Sequence, residues 1–295
     1  MSHPMTQDTQ DTALEQARQW LGESGRVLIG AGAGLSAAAG IDYGDTATFA
    51  RLFPAFVRRG FRAQYQLIGY SGLTPAQHWG YWSTHVEHVR FGEDERPVYQ
   101  SLRRLVADKD TFVLTSNVDM MFARNGFDEA RLFTPQGDYA RMQCTRPCSR
   151  ETWPTRPFIE RCLAAMDPVN QEVIHAEALP RCPRCGGDVF MNVRLDRAFL
   201  EEPYVEQARR FQQWLREGAA HRLLVLEFGA GFNTPSVVRW RMEHLVHQHP
   251  GARLVRINPQ HPEVPGELGG RAVSLAMEAG AALARLRPGS SAAPR

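Results

Sequence analysis

Residues 26–41 read RVLIGAGAGLSAAAGI and carry the strongest folding signal in the chain. Arg26–Ile29 is prone to β structure and runs directly into alternating glycine and alanine. Ala37–Ala39 has helical character, so the pattern predicts a strand, a tight turn and a helix. Glycines at such a turn let backbone amides approach a pyrophosphate at a helix N-terminus. Because Leu35 occupies the third glycine position of G-x-G-x-x-G, a turn that merely packs tightly is the alternative.

Three further apolar runs predict buried strands. They are Thr111–Thr115, Leu223–Phe228 and Arg253–Ile257. Small or polar turns follow them, namely Ser116-Asn117, Gly229-Ala230-Gly231 and Asn258-Pro259. Buried runs separated by helix-length segments predict a parallel sheet covered on both faces. Ligands bind such sheets at the carboxyl ends of the strands, so the four turns predict one shared cleft.

Two segments differ from this pattern. Residues 46–100 are crowded with aromatic side chains that show no period of two, which predicts a helical insert. Residues 141–190 are rich in cysteine, proline and arginine and contain no apolar strand run, which predicts a small inserted module.

Four cysteines in the second segment have the form of a structural zinc site. Cys144 and Cys148 form one pair, and Cys182 and Cys185 form another. Two thiolate pairs complete a closed tetrahedron around Zn²⁺ and leave no position for catalysis. The alternative is a set of unrelated buried cysteines.

The predicted fold class is α/β, a Rossmann-like parallel sheet with helices on both faces, plus the helical insert and the small zinc-binding module. The expected divisions are a discontinuous Rossmann-like domain (12–45, 101–140 and 191–285), the insert flanking the cleft (46–100), the four-cysteine zinc-binding module (141–190) and a disordered tail (286–295).

Short polar side chains follow the second predicted strand. Asn117 and Asp119 lie in Thr115-Ser-Asn-Val-Asp119, and Thr134-Pro-Gln-Gly-Asp138 comes next along the chain. Capping of the following helix would explain either residue alone. Capping does not explain the whole ordered set of motifs.

Composition narrows the function classes. The chain has 295 residues, is 43% hydrophobic and carries a formal net charge of +2, with no basic block. Nucleic acid is therefore not the expected partner. No run approaches the ~20 apolar residues that cross a bilayer, so we expect no membrane association. Five cysteines without a secretory signal favour a cytoplasmic protein.

Taken together, GAGLSAAAGI at 32–41, SNVD at 116–119, QG at 136–137, the cysteine pairs, the 229–231 turn and Ile-Asn at 257–258 resemble the sirtuins. The resemblance covers about residues 24–282. In sirtuins a Rossmann-like domain binds NAD beside zinc and helical modules.

The resemblance implies a cofactor site in this chain. Its expected residues are Gly32, Ala33, Gly34, Ala37, Asp42, Tyr43, Ser116, Asn117, Val118, Asp119, Gln136, Gly229, Ala230, Gly231 and Asn258. Within this set, Asn117, Asp119 and Gln136 are the expected catalytic residues. The implied cofactors are NAD and structural Zn²⁺.

The chain also departs from most sirtuins. Their Gly-Ile-Pro-x-Phe-Arg is Gly40-Ile-Asp-Tyr-Gly-Asp45 here, so Tyr43 is expected to cover nicotinamide. Their Gly-Thr-Ser turn is Gly229-Ala-Gly231. The His-Gly pair that supplies the deacylase base is Gln136-Gly137. A glutamine amide does not titrate near neutrality and cannot replace a histidine base.

At these positions the chain is similar to the class M sirtuins, which are linked to macrodomain proteins. Members of that group are protein ADP-ribosyltransferases that act on lipoylated carriers resembling the glycine-cleavage H protein. The resemblance therefore implies an NAD-dependent protein mono-ADP-ribosyltransferase that releases nicotinamide, with such a carrier as substrate and a functional link to a macrodomain hydrolase. The alternatives are a lysine deacylase, an NAD hydrolase and a non-catalytic ADP-ribose sensor. Another histidine, in the aromatic insert, would be needed to supply a base.

Overall fold

The computed structural model describes residues 7–92, 95–218 and 222–287. Its strands are β1 (Arg26–Ala31), β2 (Asp110–Thr115), β3 (Leu132–Phe133), β4 (Gly137–Cys144), β5 (Trp153–Pro154), β6 (Met166–Asp167), β7 (Glu172–Val173), β8 (Val189–Val193), β9 (Leu223–Phe228), β10 (Arg253–Ile257) and β11 (Ala272–Leu275). Its α-helices are α1 (Gln7–Glu23), α2 (Ala33–Ala38), α3 (Thr46–Leu52), α4 (Pro54–Arg58), α5 (Pro75–Arg90), α6 (Pro97–Leu105), α7 (Met121–Arg124), α8 (Arg156–Ala164), α9 (Val205–Glu217), α10 (Arg239–Gln248) and α11 (Ala279–Leu286).

Six parallel strands form the central sheet, in the order β11-β10-β9-β1-β2-β3. Every residue of β1 is buried, because β1 lies inside the sheet and both faces are covered. One face packs against α1, α6 and α11, and the other packs against α9 and α10. The predicted α/β sheet with helices on both faces is confirmed, and its four predicted strands are β1, β2, β9 and β10.

The two edge strands were not predicted from the sequence. Leu132–Phe133 has only two residues, and three of the four residues in Ala272–Leu275 are half-buried. A strand of two residues and a strand that is mostly half-buried both lack the continuous apolar run that marks an interior strand.

The segment 141–190 contains strands that the sequence analysis did not expect. Strands β5, β4 and β8 form an antiparallel sheet, and β4 begins at Gly137, before the predicted boundary. Strand β4 was not predicted because its buried residues include the polar side chains of Asp138 and Gln143. Asp138 pairs with Arg90 at 2.7 Å, and Gln143 accepts a hydrogen bond from Asn192 at 2.6 Å, so both polar groups are satisfied.

The segment 46–100 contains α3, α4, α5 and the start of α6, and the domain boundaries themselves remain predictions. Helix α2 begins at Ala33, earlier than the helical character near Ala37 suggested. The chain is helical and buried at Leu286, so the expected disordered tail does not begin there. Residues 288–295 lie outside the described residues.

Within the described residues, none of the helices has the length and apolar character required to cross a bilayer. The cytoplasmic location remains a prediction.

Candidate functional site

The carboxyl ends of β1, β2, β9 and β10 open into a cavity of about 780 Å³. The turn after each strand contributes to its wall, together with Tyr43, just before the insert, and Tyr65, within the insert. The sequence predicts one cleft at these four turns, and the structure places one there.

The structure brings nearly all of the predicted site residues to this cavity. Those lining it are Gly32, Ala33, Gly34, Ala37, Asp42, Tyr43, Ser116, Asn117, Val118, Asp119, Gly229, Ala230, Gly231 and Asn258. Gln136 is the exception. It is half-buried in the turn before β4, where its carbonyl accepts a hydrogen bond from the Arg194 amide at 2.9 Å. The binding role of the lining residues remains a prediction.

The glycine turns hold two strand ends together. A methyl group on Gly34 would lie 2.7 Å from the Cα of Gly229, which has a φ of +57°. The amides of Gly32 and Gly34 donate to the carbonyls of Phe228 and Gly229, at 2.9 and 3.1 Å. Because protein carbonyls occupy these two donors, close backbone packing explains both glycines, and their contact with a cofactor remains a prediction.

Asn117 and Asp119 meet at a serine that the sequence analysis did not select. The Asn117 Nδ2 donates to Ser36 Oγ at 2.9 Å and to the Gly32 carbonyl at 3.0 Å. Ser36 Oγ in turn donates to Asp119 Oδ2 at 2.5 Å. Ser36 lies inside the quoted GLSAAAG motif, but nothing in that motif indicates a partner 83 residues away. We call Ser36, Asn117 and Asp119 the polar triad.

The Asp119 carboxylate is buried. Burial raises its pKa, while the hydrogen bonds from Ser36 and from the Met121 amide oppose that shift. The Asp119 Oδ1 accepts from the Met121 amide at 2.9 Å, so both carboxylate oxygens have donors. The two donors favour the ionised form of Asp119 and fix the direction of its carboxylate at the cavity wall.

Tyrosines line the cavity beside the triad. Tyr139 follows Gln136 by three residues and lines the cavity together with Tyr43. Burial raises the pKa of Tyr139 to about 12 and also raises that of Tyr43. Both phenols are therefore protonated near neutrality and can donate a hydrogen bond to a ligand. Tyr65, with 51% of its surface exposed, lies with its ring 5.9 Å from that of Tyr43.

One histidine of the insert lies behind these tyrosines. His85 is fully buried, with its ring 5.0 Å from Tyr43 and 5.4 Å from Tyr139. Its Nδ1 lies 2.5 Å from Gln64 Oε1. Burial lowers the pKa of His85 to about 3, so the imidazole is neutral. His85 does not line the cavity, and the described part of the insert places no histidine where it would serve as a base for a bound ligand.

The loop after β10 forms the other end of the cavity. The Asn258 Oδ1 accepts from the amides of Gln260 and His261, both at 3.0 Å, and its Nδ2 donates to the Ala230 carbonyl at 3.2 Å. Asn258 thus fixes the loop that carries His261. The rings of His261 and Phe232 lie 5.1 Å apart, and both residues line the cavity although the sequence analysis selected neither.

The four predicted cysteines come together away from the cavity. The Sγ atoms of Cys144 and Cys185 are 3.8 Å apart, and those of Cys148 and Cys182 are 3.5 Å apart. All four lie within 4.8 Å of one another. A tetrahedral Zn²⁺ with bonds of about 2.3 Å has sulfur–sulfur edges of about 3.8 Å. The cluster fits structural zinc, and the fifth cysteine, Cys162, is buried outside it.

Sequence comparison finds two relatives that are named as ADP-ribosyltransferases. No family model matches the chain. It is 35% identical over 260 residues to a Fusarium oxysporum f. sp. cubense protein named probable bifunctional ADP-ribose hydrolase/ADP-ribosyltransferase, a match covering 85% of this chain and 43% of that protein. It is 27% identical over 275 residues to a protein ADP-ribosyltransferase of Staphylococcus aureus, covering 91% of this chain and 85% of that one. The chain thus spans less than half the length of the first relative.

Solved structures with the same fold are Sir2 proteins. A mutant Sir2 homologue in complex with 2'-O-acetyl ADP ribose has a TM-score of 0.60 at 19% identity, covering 92% of this chain and 94% of that one. A complex of a Sir2 homologue with NAD has a TM-score of 0.55 at 18% identity, covering 97% and 94%. The fold is the Sir2 fold, and the expected resemblance to sirtuins is confirmed.

Proposed function

We propose that this chain is an NAD-dependent protein mono-ADP-ribosyltransferase that releases nicotinamide. The names of the two relatives support an ADP-ribosyltransferase. The observation that carries the proposal is a preorganised polar triad in a cavity without a nearby histidine base. Among the described residues, His261 is the one histidine in the wall, and it follows β10 whereas Asn117 follows β2. Three strand spacings separate those positions, about 14 Å.

The cavity suits a ligand with two ends. The turns after β1 and β9 form its middle, the polar triad lies at the β2 end, and Phe232 and His261 lie at the β10 end. When bound, NAD supplies an ADP-ribosyl group joined to nicotinamide by the bond that breaks. Asn117 and Asp119 would hold the nicotinamide end, and Tyr43 would cover it.

Asn117 and Asp119 are suited to stabilise positive charge. The amide group of Asn117 donates to Gly32 and Ser36, so its carbonyl oxygen is the amide atom left to contact a ligand. Asp119 adds a buried carboxylate beside it. Both favour a carbon that develops oxocarbenium character as nicotinamide departs.

The proposed outcome is transfer to a protein nucleophile and not deacylation. Deacylation requires a base that activates a ribose hydroxyl, and such a base contributes about 10²–10⁴-fold. Gln136 does not titrate and lies outside the cavity wall, and His85 is buried and held neutral. Cleavage of the nicotinamide bond needs no such base, so the first step is retained and the deacylase step is lost.

We further propose a lipoylated carrier protein, resembling the glycine-cleavage H protein, as the substrate. The exposed ring of Tyr65 and the neighbouring Tyr43 provide an aromatic surface at the cavity for a long apolar arm. The name of the Fusarium relative pairs a transferase with an ADP-ribose hydrolase. This pairing supports a functional link to a macrodomain hydrolase that removes the modification.

The test is mass spectrometry of a lipoylated carrier incubated with the protein and NAD, with an acylated lysine peptide in the same tube. We expect an ADP-ribose adduct on the carrier and an unchanged peptide. A deacylated peptide with an unmodified carrier would contradict the proposal. Free ADP-ribose without an adduct would indicate a hydrolase, and binding without nicotinamide release would indicate a sensor.

A further inference from the structure

Tyr99 lies directly behind the polar triad. It is on α6, is fully buried and does not line the cavity. Its ring packs edge-on against Phe122 at 5.0 Å. Its hydroxyl lies 3.2 Å from Ser36 Oγ, so a residue outside the site contacts the atom on which the triad converges.

The number of protons fixes the direction of these hydrogen bonds. A serine hydroxyl has one proton, and an ionised carboxylate can only accept. The Ser36 proton therefore points to Asp119, 2.5 Å away. Ser36 Oγ must then accept from both of its other neighbours, the Asn117 amide at 2.9 Å and the Tyr99 hydroxyl at 3.2 Å. The order of donation is Tyr99 to Ser36 to Asp119.

We propose that Tyr99 is a positioning residue for nicotinamide release, acting through Ser36. Its hydroxyl has two effects. It occupies a lone pair of Ser36, which leaves Asn117 one orientation in which its NH₂ points inward and its carbonyl oxygen is free for the cavity. It also polarises the Ser36 hydroxyl and strengthens the hydrogen bond to Asp119. The assignment to this reaction rests on the proposed function, while the hydrogen-bond order does not.

The second effect predicts a change in the ionisation of Asp119. Burial raises the pKa of Asp119, and the Ser36 hydrogen bond is the largest opposing effect. Removing the Tyr99 hydroxyl weakens that hydrogen bond, so the pKa of Asp119 rises further. The charged and titratable groups around Asp119 are Arg124, Asp138, Tyr43, Tyr99 and Tyr139. Asp119 acts as an anion, so turnover falls as the pH drops through its pKa, and in the variant this fall occurs at higher pH.

The variant is Tyr99→Phe, which keeps the ring, and the matched control is Tyr81→Phe. Tyr81 is also fully buried, and its hydroxyl donates to the Gln64 carbonyl at 3.4 Å, away from the triad. In Tyr99→Phe we expect single-turnover nicotinamide release at saturating NAD to fall about tenfold, while the Kd for ADP-ribose changes less than about twofold. The acidic fall in turnover should occur at higher pH than in the wild-type protein. Tyr81→Phe should show none of these changes.

A measurement without NAD separates this inference from the proposed function. The carboxyl ¹³C resonance of Asp119, assigned by its loss in Asp119→Asn, is titrated in the ligand-free protein. We expect its midpoint to rise in Tyr99→Phe and to fall when a fluorinated tyrosine, a stronger donor, replaces Tyr99. Equal midpoints in all forms, or equal losses of turnover in Tyr99→Phe and Tyr81→Phe, would overturn the inference. If the wild-type protein releases no nicotinamide, the proposed function fails and the titration alone decides the role of Tyr99.

Discussion

At the scale of single residues, the site is a set of buried polar groups that satisfy one another. Asn117 and Asp119 are 8% and 4% exposed, and Ser36 joins them. An isolated buried carboxylate is costly, and each donor directed at Asp119 reduces that cost. The triad is therefore a rigid arrangement that exists before any ligand binds, as electrostatic catalysis requires.

Replacement of Asn117 tests this arrangement. Asn117→Ala removes the carbonyl oxygen expected to face the ligand, so we predict a loss of nicotinamide release of about 10²–10³-fold with the fold retained. Release is measured by chromatography and the fold by circular dichroism. Asn125→Ala is the control, because Asn125 is also buried but caps α7 outside the cavity. Undiminished turnover in Asn117→Ala would remove Asn117 from the catalytic set.

The sequence was sufficient to select Asn117 and Asp119 but not the groups that hold them. Those two residues follow a recognisable strand and match a family motif. Ser36 and Tyr99 act through contacts across 83 and 63 positions of the chain, which local patterns do not encode. Gln136 was selected by its place in a motif, and the structure puts it beside the cavity wall and not in it.

At the scale of elements, the sequence predicted those strands whose residues are buried almost without interruption. The interior strands β1, β2, β9 and β10 were found from their mainly apolar runs, although β9 and β10 each carry one buried charged residue, Glu227 and Arg256, which pair at 2.6 Å. Strands β4 and β8 were not predicted from the sequence because buried polar residues interrupt their apolar runs. Strands β3 and β11 were not predicted because they are short edge strands. Tertiary hydrogen bonds, invisible along the chain, make the polar strands stable.

The junction between α2 and the β9 turn should tolerate no side chain. Gly34→Ala places a methyl group 2.7 Å from the Cα of Gly229, where only the backbone can move. We predict a loss of about 1–3 kcal/mol in the free energy of unfolding, measured with urea. Gly22→Ala is the control, since a methyl group at Gly22 would have no atom within 4 Å. An unchanged stability in Gly34→Ala would show that the turns separate easily.

The cysteine cluster gives a second prediction at this scale. Cys182→Ser removes one of four ligands, so we expect zinc content well below one ion per chain, by elemental analysis, together with a lower melting temperature. Cys162→Ser should retain full zinc, because Cys162 lies outside the cluster and contacts the Ala178 carbonyl at 3.5 Å. Normal zinc in Cys182→Ser would refute the four-cysteine assignment.

At the scale of the whole molecule, distant segments are joined around the cavity. Arg90 on α5 pairs with Asp138 on β4 at 2.7 Å. Gln171, from the cysteine-containing segment, accepts from the Ala55 amide at 3.0 Å and donates to the Leu52 carbonyl at 2.8 Å. The insert is thus attached to the rest of the chain on two sides, and occupancy of the cavity should stabilise the entire fold.

ADP-ribose should therefore raise the melting temperature in a concentration-dependent manner. At about a hundred times its Kd, a ligand that binds only the folded state stabilises it by about 2.7 kcal/mol. For a chain of this size that corresponds to roughly 4–5 °C by scanning calorimetry. Ribose 5-phosphate at the same concentration, which lacks the adenosine end, is the control and should have a smaller effect. Melting curves that do not respond to ADP-ribose would contradict the proposed cofactor site.

The packing of Gly32 and Gly34 against the turn at Gly229 limits how these positions can change during evolution. A methyl group at either Gly32 or Gly34 would strike main-chain atoms, so these glycines are needed for the fold whatever the cavity contains. A lineage that abandoned the reaction would keep the glycines, whereas its Ser36, Asn117 and Asp119 would be free to drift toward apolar residues that are less costly to bury. In distant homologues, the glycines thus record ancestry, and the serine, asparagine and aspartate record whether the chemistry survived.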